Sequence, residues 1–413
     1  MTPRVLARED LPKLLESLTR HGYQVVGPTI ADGAIVLGEI ASLGDLPAGW
    51  SDEQGPAHYR LRQRADRLLF GYSVGPDAWK RYLFPPTARV WRIRRDDGHF
   101  TVEPDADTPP KRAFLGMRAC ELHAIAIQDR IFLEGPYADP AYRARRERVL
   151  LIAVNCRQAG GTCFCASMGT GPRAVKGFDL ALTEVLEADR HEFVVEIGSE
   201  RAAKVMNGVP SRDATQVDLD EAARISAGAA ARMGRVLETD GLHDALLRHL
   251  DHPRWDEVAT RCLACANCTM VCPTCFCHTV EDTTDLTGAA ERHRRWDSCF
   301  SQEFSYIHGG FVRATIRARY RQWLSHKLAT WVDQFGTFGC VGCGRCITWC
   351  PAGIDLTEEA RAIRKTPTAP WGFPNTDSQA RGAARGDGAP ASDAPGGVRG
   401  SPPIGIGGTN EDD

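Results

Sequence analysis

Apolar residues near the start of the chain recur at the spacing of an amphipathic helix. Glycine 22 follows the last of them and is expected to end the helix. Two apolar runs then flank an Asp-Gly turn, and we predict strands at residues 23–26 and 34–40. The leucines of the predicted helical face are Leu11, Leu14, Leu15 and Leu18.

Helical and extended patterns continue to alternate up to about residue 250. The patterns predict a strand at residues 148–155, a helix at 178–186, a strand at 192–197 and a helix at 242–250. Such alternation is typical of a mixed sheet covered by helices. We therefore expect residues 1–250 to form a mixed α/β domain.

From about residue 251 the chain becomes rich in cysteine and in helical patterns. Trp255, Val258 and Leu263 indicate one helix, and a second apolar stripe runs through Val312, Ile316, Tyr320 and Trp323. We expect residues 251–365 to form an α-helical, ferredoxin-like two-cluster domain, with a helical segment and no hairpins between its two cysteine motifs. Residues 366–413 are rich in Gly, Pro, Ala, Ser and Asp, which predicts a disordered tail. The predicted fold class is α+β.

Beside the second stripe lies a row of arginines at positions 313, 317 and 321. Such a row is usually a solvated helix face. Near redox centres it also suits the docking of an acidic partner, so both interpretations stay open.

Composition narrows the possible partners. The 413 residues are 43% hydrophobic and 25% charged, with a net charge of -3, so neither nucleic acid nor an anionic membrane is expected as a partner. No apolar run approaches the roughly 20 residues of a membrane helix, and the first ten residues do not resemble a signal peptide. We expect a cytoplasmic protein. Its fifteen cysteines indicate metal binding in a reducing compartment, and an odd count excludes complete internal disulfide pairing.

Two segments, residues 262–273 and 340–351, each read C-x2-C-x2-C-x3-C-P. This spacing aims three thiolates at one 4Fe-4S cluster and sends the fourth to the other cluster. Crossed ligation then predicts two sets of four ligands. The first is Cys262, Cys265, Cys268 and Cys350, and the second is Cys340, Cys343, Cys346 and Cys272.

Structural zinc is the competing interpretation, because zinc also takes four thiolates from C-x2-C pairs. Two complete copies that both end in Cys-Pro favour two iron-sulfur clusters. A zinc-stabilised interaction protein without redox function remains the alternative from a different class.

Four further cysteines belong to the N-terminal part and suffice for a third metal site. Three of them lie in or next to a glycine-rich loop, which is a poor place for packing thiols in a core. Simple burial as small hydrophobic residues is the alternative. The four are Cys120, Cys156, Cys163 and Cys165. The same loop contains a G-x-G-x-x-A sequence at residues 169–174, which we do not interpret as a dinucleotide site because it does not join a strand directly to a helix.

Cys275, Cys277 and Cys299 follow the first motif. Three thiols fall short of a complete ligand set, so we interpret them as buried thiols near the clusters. The segment Thr274-Cys275-Phe276-Cys277 repeats the sequence Thr-Cys-Phe-Cys of residues 162–165.

Together these motifs resemble a known family. The two quartets, the long spacer, residues 116–121, the two Thr-Cys-Phe-Cys segments and residues 296–300 are similar to the dicluster iron-sulfur beta subunit of cytoplasmic, sulfhydrogenase-type nickel-iron hydrogenases. The corresponding iron-sulfur component of anaerobic sulfite reductase is a close relative. The resemblance covers about residues 10–360, and the tail has no counterpart in it.

The resemblance implies a non-catalytic electron-transfer subunit. In that family the protein passes electrons between a subunit that binds flavin and NAD(P) and the subunits that hold the catalytic metal. The chain itself has no P-loop and no Ser-His-Asp set. Flavin and nickel-iron centres are therefore expected in partner subunits, and the choice between hydrogenase and sulfite reductase stays open.

Overall fold

The computed structural model describes residues 1–96, 99–104, 108–187, 190–285 and 288–365. The predicted disordered tail at residues 366–413 lies outside the described residues.

The strands are β1 (Arg4–Ala7), β2 (Gln24–Ala31), β3 (Ala34–Glu39), β4 (Trp50–Gly55), β5 (His58–Gln63), β6 (Thr87–Asp96), β7 (His99–Pro104), β8 (Arg112–Met117), β9 (Val149–Val154), β10 (Leu180–Glu187), β11 (Arg190–Ile197), β12 (Arg212–Asp213), β13 (His278–Thr284), β14 (Ala290–Trp296), β15 (Tyr306–Ile307) and β16 (Gly310–Phe311). The α-helices are α1 (Leu11–Arg20), α2 (Lys80–Leu83), α3 (Ala119–Leu133), α4 (Pro140–Glu147), α5 (Glu200–Met206), α6 (Gln216–Ala230), α7 (Leu242–Arg248), α8 (Arg254–Arg261), α9 (Asn267–Met270), α10 (Ile316–Ser325), α11 (Trp331–Phe335), α12 (Arg345–Thr348) and α13 (Leu356–Lys365). A π-helical segment, His326–Thr330, joins α10 to α11.

The largest element is a mixed eight-stranded sheet with the order β12-β1-β11-β10-β9-β8-β2-β3. Its centre is parallel, because β2 pairs with β8, β8 with β9 and β9 with β10 in the same direction. The outer pairs are antiparallel. All six residues of β9 are buried, as expected for a central strand with both faces covered.

The two faces of this sheet pack into separate cores. Leu150, Ile152 and Val154 of β9 join a core that contains the leucines of α1, whereas Leu151 and Ala153 join the core beneath α3 and α4. Successive strand residues point to opposite faces, so the alternation of β9 builds both cores. The predicted α+β class, with a mixed α/β N-terminal part, is confirmed.

One predicted helix is wrong. Residues 178–186 fall mainly on strand β10, which pairs antiparallel with β11 and parallel with β9. The first six residues of β10 are all buried, including Thr183 and Glu184, so the strand lacks the alternation of apolar and polar residues that distinguishes a strand from a helix in sequence. The helices predicted near residues 11 and 242, and the strands predicted near 148 and 192, are confirmed.

The cysteine-rich part is helical as predicted, but it also contains a hairpin that was not expected. Helices α7, α8, α10 and α13 pack around an apolar core that includes Trp255, Tyr320 and Trp323. Between the two motifs, β13 and β14 form a hairpin, and β14 also pairs with β6. The segment between the motifs is therefore partly extended, because its residues complete a four-stranded sheet with strands from the first 104 residues. Among the described residues, no helix is long and apolar enough to cross a membrane.

Candidate metal centres

The two cysteine motifs fold into loops with the same backbone pattern. In the first loop Ala264 and Ala266 have positive φ angles of 50° and 65°, and in the second Gly342 and Gly344 have φ angles of 65° and 76°. Each loop then enters one short helix, α9 or α12. The N–H of the residue two positions after the first cysteine lies 3.4 Å from that cysteine's Sγ in both loops. The repeated sequence thus produces two equivalent ligand loops.

The first three cysteines of the first loop and the last cysteine of the second line one cavity. Aromatic and aliphatic side chains, among them Phe300, Tyr320 and Trp323, form the rest of its wall. The four cysteines are Cys262, Cys265, Cys268 and Cys350, and Cys346 also reaches the cavity. The structure therefore brings together the first predicted set of ligands.

The pKa shifts of these thiols group the same four cysteines together. Burial raises the pKa of the Cys268 thiol well above its usual range, and the neighbouring Cys262, Cys350 and Cys265 raise it further. Burial also raises the pKa of Cys262, and Cys350 and Cys265 are again among its neighbours. Thiols packed this closely in an apolar cavity resist ionisation unless a bound cation compensates the thiolate charges.

The second predicted set is also brought together. Burial raises the pKa of Cys340 to about 12, and Cys343 and Cys272 act on it as neighbouring thiols. Burial raises the pKa of Cys346 as well, followed by the effects of Cys340, Cys343 and Cys272. Cys272 comes from the first loop yet lies beside the three cysteines of the second.

The structure adds a buried lysine that the sequence analysis missed. The Nζ of Lys327 lies 3.1 Å from the Sγ of Cys272 and 3.1 Å from the Oγ1 of Thr274, and donates to the carbonyl of Gly339 at 3.2 Å. Lys327 lies in the π-helical segment, an irregularity that often marks functional positions. Its spacing from Trp323 and Leu324 places it on the apolar face of the helix, and that position was the available signal in the sequence.

Lys327 and the adjacent thiols shift one another's ionisation. A hydrogen bond with Cys275 and the charge of Lys327 hold the pKa of Cys272 well below its usual range despite burial. Burial alone lowers the pKa of Lys327, but Cys272, Cys275 and Cys340 outweigh it, so the net direction is upward. Lys327 therefore favours the thiolate form of Cys272, and the thiols favour the ammonium form of Lys327.

The N-terminal cysteine loop packs directly against the second ligand loop. The N–H of Phe164 donates to the carbonyl of Gly342 at 2.8 Å, and Thr170 Oγ1 donates to the carbonyl of Val341 at 2.7 Å. A Cβ on Gly342 would lie 2.7 Å from the Cys165 backbone, so glycine permits this close approach.

The four N-terminal cysteines are electrostatic neighbours of one another. Burial raises the pKa of Cys165 above its usual range, and Cys163, Cys156 and Cys343 add to the effect. Burial raises the pKa of Cys120 too. Among the other thiols, Cys165 and Cys343 raise this pKa most. The four therefore gather on the side of the second ligand loop that carries Cys343.

A buried ion pair fixes the second loop to the N-terminal part. The guanidinium of Arg345 in α12 pairs with Glu121 in α3 and donates to the carbonyls of Gly75 and Asp77 at 2.9 Å each. Glu121 also accepts from the indole N–H of Trp79 at 3.0 Å and from the backbone N–H of Arg118 at 2.9 Å. The sequence did not indicate this pair, which links residues 224 positions apart.

The grouping of the cysteines bears on the choice between zinc and iron-sulfur clusters. The fourth cysteine of each ligand loop lies with the first three cysteines of the other loop. This crossed arrangement is the one found in two-cluster ferredoxins, so the donor sets favour iron-sulfur clusters.

Two weaker sequence features have structural explanations. Residues 169–174 lie in the loop after β9 and lead to β10 rather than to a helix, so they lack the geometry of a dinucleotide site. In the arginine row, Arg317 pairs with Asp256 at 3.0 Å and Arg321 donates to the carbonyl of Leu250 at 2.7 Å. These two arginines hold helix α10 to its neighbours within the chain.

Comparison with known proteins supports the same chemistry. Residues 261–354 match the family described as "4Fe-4S dicluster domain". The chain is 32% identical over 303 residues to "Sulfhydrogenase 2 subunit beta" of Pyrococcus furiosus, an alignment that covers 73% of this chain and 86% of that protein. No solved structure matches the chain significantly.

Proposed function

This chain belongs to the family of sulfhydrogenase beta subunits, and from that premise we propose that it relays electrons between a subunit that binds flavin and NAD(P) and a nickel-iron hydrogenase catalytic module. The observation that carries the proposal is the single cavity lined by Cys262, Cys265, Cys268 and Cys350. When bound, each 4Fe-4S cluster supplies one-electron transfer at a potential set by burial and by hydrogen bonds to sulfur.

We assign the eight motif cysteines to two crossed 4Fe-4S sites. The first set is Cys262, Cys265, Cys268 and Cys350, and the second is Cys340, Cys343, Cys346 and Cys272. The mutual pKa effects of the thiols within each set support this division. Backbone N–H groups near the Sγ atoms of Cys262, Cys340 and Cys350, each at 3.4 Å, orient the ligands and tune their donor strength.

The two sites differ in their access to the surface. Cys265 is exposed and its neighbour Leu263 is 67% exposed, whereas Cys272 and Cys343 are buried. We assign the first site to electron exchange with a partner protein of the complex and the second to an interior position. The partner protein would then dock on the surface around Leu263. Electron transfer needs a short path between the two redox centres, and an apolar contact excludes water from that path.

We also propose a third cluster held by Cys120, Cys156, Cys163 and Cys165. These thiols are neighbours of one another and of Cys343. A cluster here would continue the path from the second site into the N-terminal part. The sequence identity of 32% to a sulfhydrogenase subunit favours the hydrogenase over the sulfite reductase alternative. We also assign the chain to the cytoplasm, because free thiols persist in that reducing compartment.

Metal analysis of the anaerobically reconstituted chain tests the proposal. The two motif sets account for about eight irons, and the N-terminal set adds about four. Cys163→Ala should remove about four irons while leaving the signals of both motif clusters intact, and an unchanged iron count would reduce the N-terminal thiols to packing residues. Stoichiometric zinc with negligible iron would overturn the electron-transfer function itself.

The crossed ligation of the two motif clusters is tested separately. Cys350→Ser should disturb the cluster of the distant first loop, whereas Cys340→Ser should disturb the other one. Electron paramagnetic resonance of the two reduced variants distinguishes the clusters. Loss of the same signal in both variants would show that each loop binds its own cluster.

A further inference from the structure

Three cysteines that belong to none of these sets line one cavity. Cys275, Cys277 and Cys299 line it together with His326 and Lys327. The hairpin β13–β14 brings them together, because His278 pairs with Trp296 and the N–H of Asp297 donates to the carbonyl of Cys277 at 3.0 Å. The base of the hairpin thus holds Cys299 beside Cys277, although 21 residues separate them in sequence.

Two buried lysines adjoin this cavity. Lys80 and Lys327 are 4% and 5% exposed. Lys80 Nζ donates to the carbonyls of Thr269 and Cys275 at 3.3 and 3.2 Å and lies 4.1 Å from the ring centroid of Trp296. In the part of the chain that the structure describes, the charged groups that act most strongly on either lysine are thiols and the other lysine, not carboxylates.

Buried cations of this kind require a buried anion. An uncompensated charge in an apolar interior is strongly destabilising, so ammonium groups at such positions are normally paired. The groups that face Lys80 and Lys327 are cysteine sulfurs, carbonyl oxygens and Thr274. Cys272 of the second motif set lies beside Lys327, whereas Cys275 is the thiol that acts most strongly on Lys80. A metal-bound thiolate at Cys275 would supply negative charge that a neutral thiol does not.

The chemistry of the donors indicates the class of cofactor. Three thiols and an imidazole line this cavity, with Phe276, Trp323 and Trp331 completing its wall. Thiolates are the usual ligands of iron-sulfur clusters, and imidazole replaces thiolate as an iron ligand in some clusters. These four side chains therefore supply a complete set of ligands for one cluster.

We infer that Cys275, Cys277 and Cys299, with His326 as the fourth donor, bind an iron-sulfur cluster of their own, whose charge Lys80 and Lys327 balance. This inference rests on the proposed function, in which Cys272 is a ligand of the second motif cluster. Cys275 lies beside Cys272 and the two thiols share a hydrogen bond. The additional cluster therefore adjoins the second motif cluster.

The test uses the full chain, reconstituted anaerobically, with Cys277→Ser and Cys299→Ser as variants. Each should lose about four irons and one reducible signal while both motif signals persist. Ser301→Ala, in the turn that follows Cys299, is the matched control and should keep the full iron count. An unchanged iron count in both cysteine variants would overturn the inference but leave the proposed function intact.

Two further measurements do not depend on the folding of those variants. Anaerobic native mass spectrometry of Cys163→Ala, which lacks the N-terminal set, should show three clusters per chain, and two would refute the additional site. His326→Cys should keep the cluster and lower its potential, because imidazole ligation raises the potential relative to thiolate. An unchanged potential would exclude His326 as a ligand. Absence of every cluster, or zinc in their place, would refute the proposed function as well.

Discussion

Replacing Lys327 by methionine should lower the reduction potential of the cluster that we assign to Cys272. The ammonium group of Lys327 lies 3.1 Å from the Sγ of Cys272 and is buried. Reduction adds one negative charge to a cluster, and a nearby positive charge stabilises the reduced form. Methionine has a similar length and no charge, so the substitution removes the electrostatic effect while largely preserving the packing.

The size of the shift follows from the distance. If the added electron lies about 6 Å from Nζ, at an effective dielectric constant of about 20, the interaction is about 3 kcal/mol. For a one-electron couple this corresponds to about 120 mV. Water that enters in place of the ammonium group offsets part of this energy, so we expect a decrease of about 60 to 120 mV.

The assay is an anaerobic redox titration followed by electron paramagnetic resonance, with Cys340→Ser used to identify the signal of this cluster. Lys327→Arg keeps the charge and should stay within about 30 mV of the parent chain. Lys13→Met removes an exposed lysine that pairs with Asp10, and it should have no effect. A change below about 20 mV in Lys327→Met with full iron content, or an increase in potential, would refute the electrostatic reasoning.

Two further predictions concern stability. Arg345→Met removes the ion-pair partner of the buried Glu121, so urea unfolding under anaerobic conditions should show a loss of about 3 kcal/mol, and adding Glu121→Leu should recover part of it. Equal losses in the single and double variants would contradict this coupling. Ala266→Gly should raise the unfolding free energy by about 1 kcal/mol, because alanine is strained at a φ of 65°. The reverse change at the equivalent position, Gly344→Ala, should destabilise the chain because its Cβ would lie 2.5 Å from the Thr162 carbonyl oxygen; a neutral result there would contradict the close packing of the two loops.

Local sequence patterns determined the ligand loops and much of the fold. Three ligands of each cluster lie within a few residues of one another, so both motifs can be recognised in the sequence. In the structure the two loops share the same backbone conformation. Helix α1 and strand β9 were predictable for the same reason, since amphipathic spacing and a fully apolar run are both local signals. The division of the chain near residue 250 remains a prediction.

Tertiary structure decided what distant residues do together. Strand β10 was mistaken for a helix, because its extended form depends on backbone pairing with β9 and β11, which its own sequence pattern does not show. The pairing of Arg345 with Glu121 and the approach of Lys327 to Cys272 join segments 224 and 55 residues apart. Contacts of this kind leave no periodic trace in sequence, because their energy depends on burial and distance in the folded chain and not on the identity of adjacent residues.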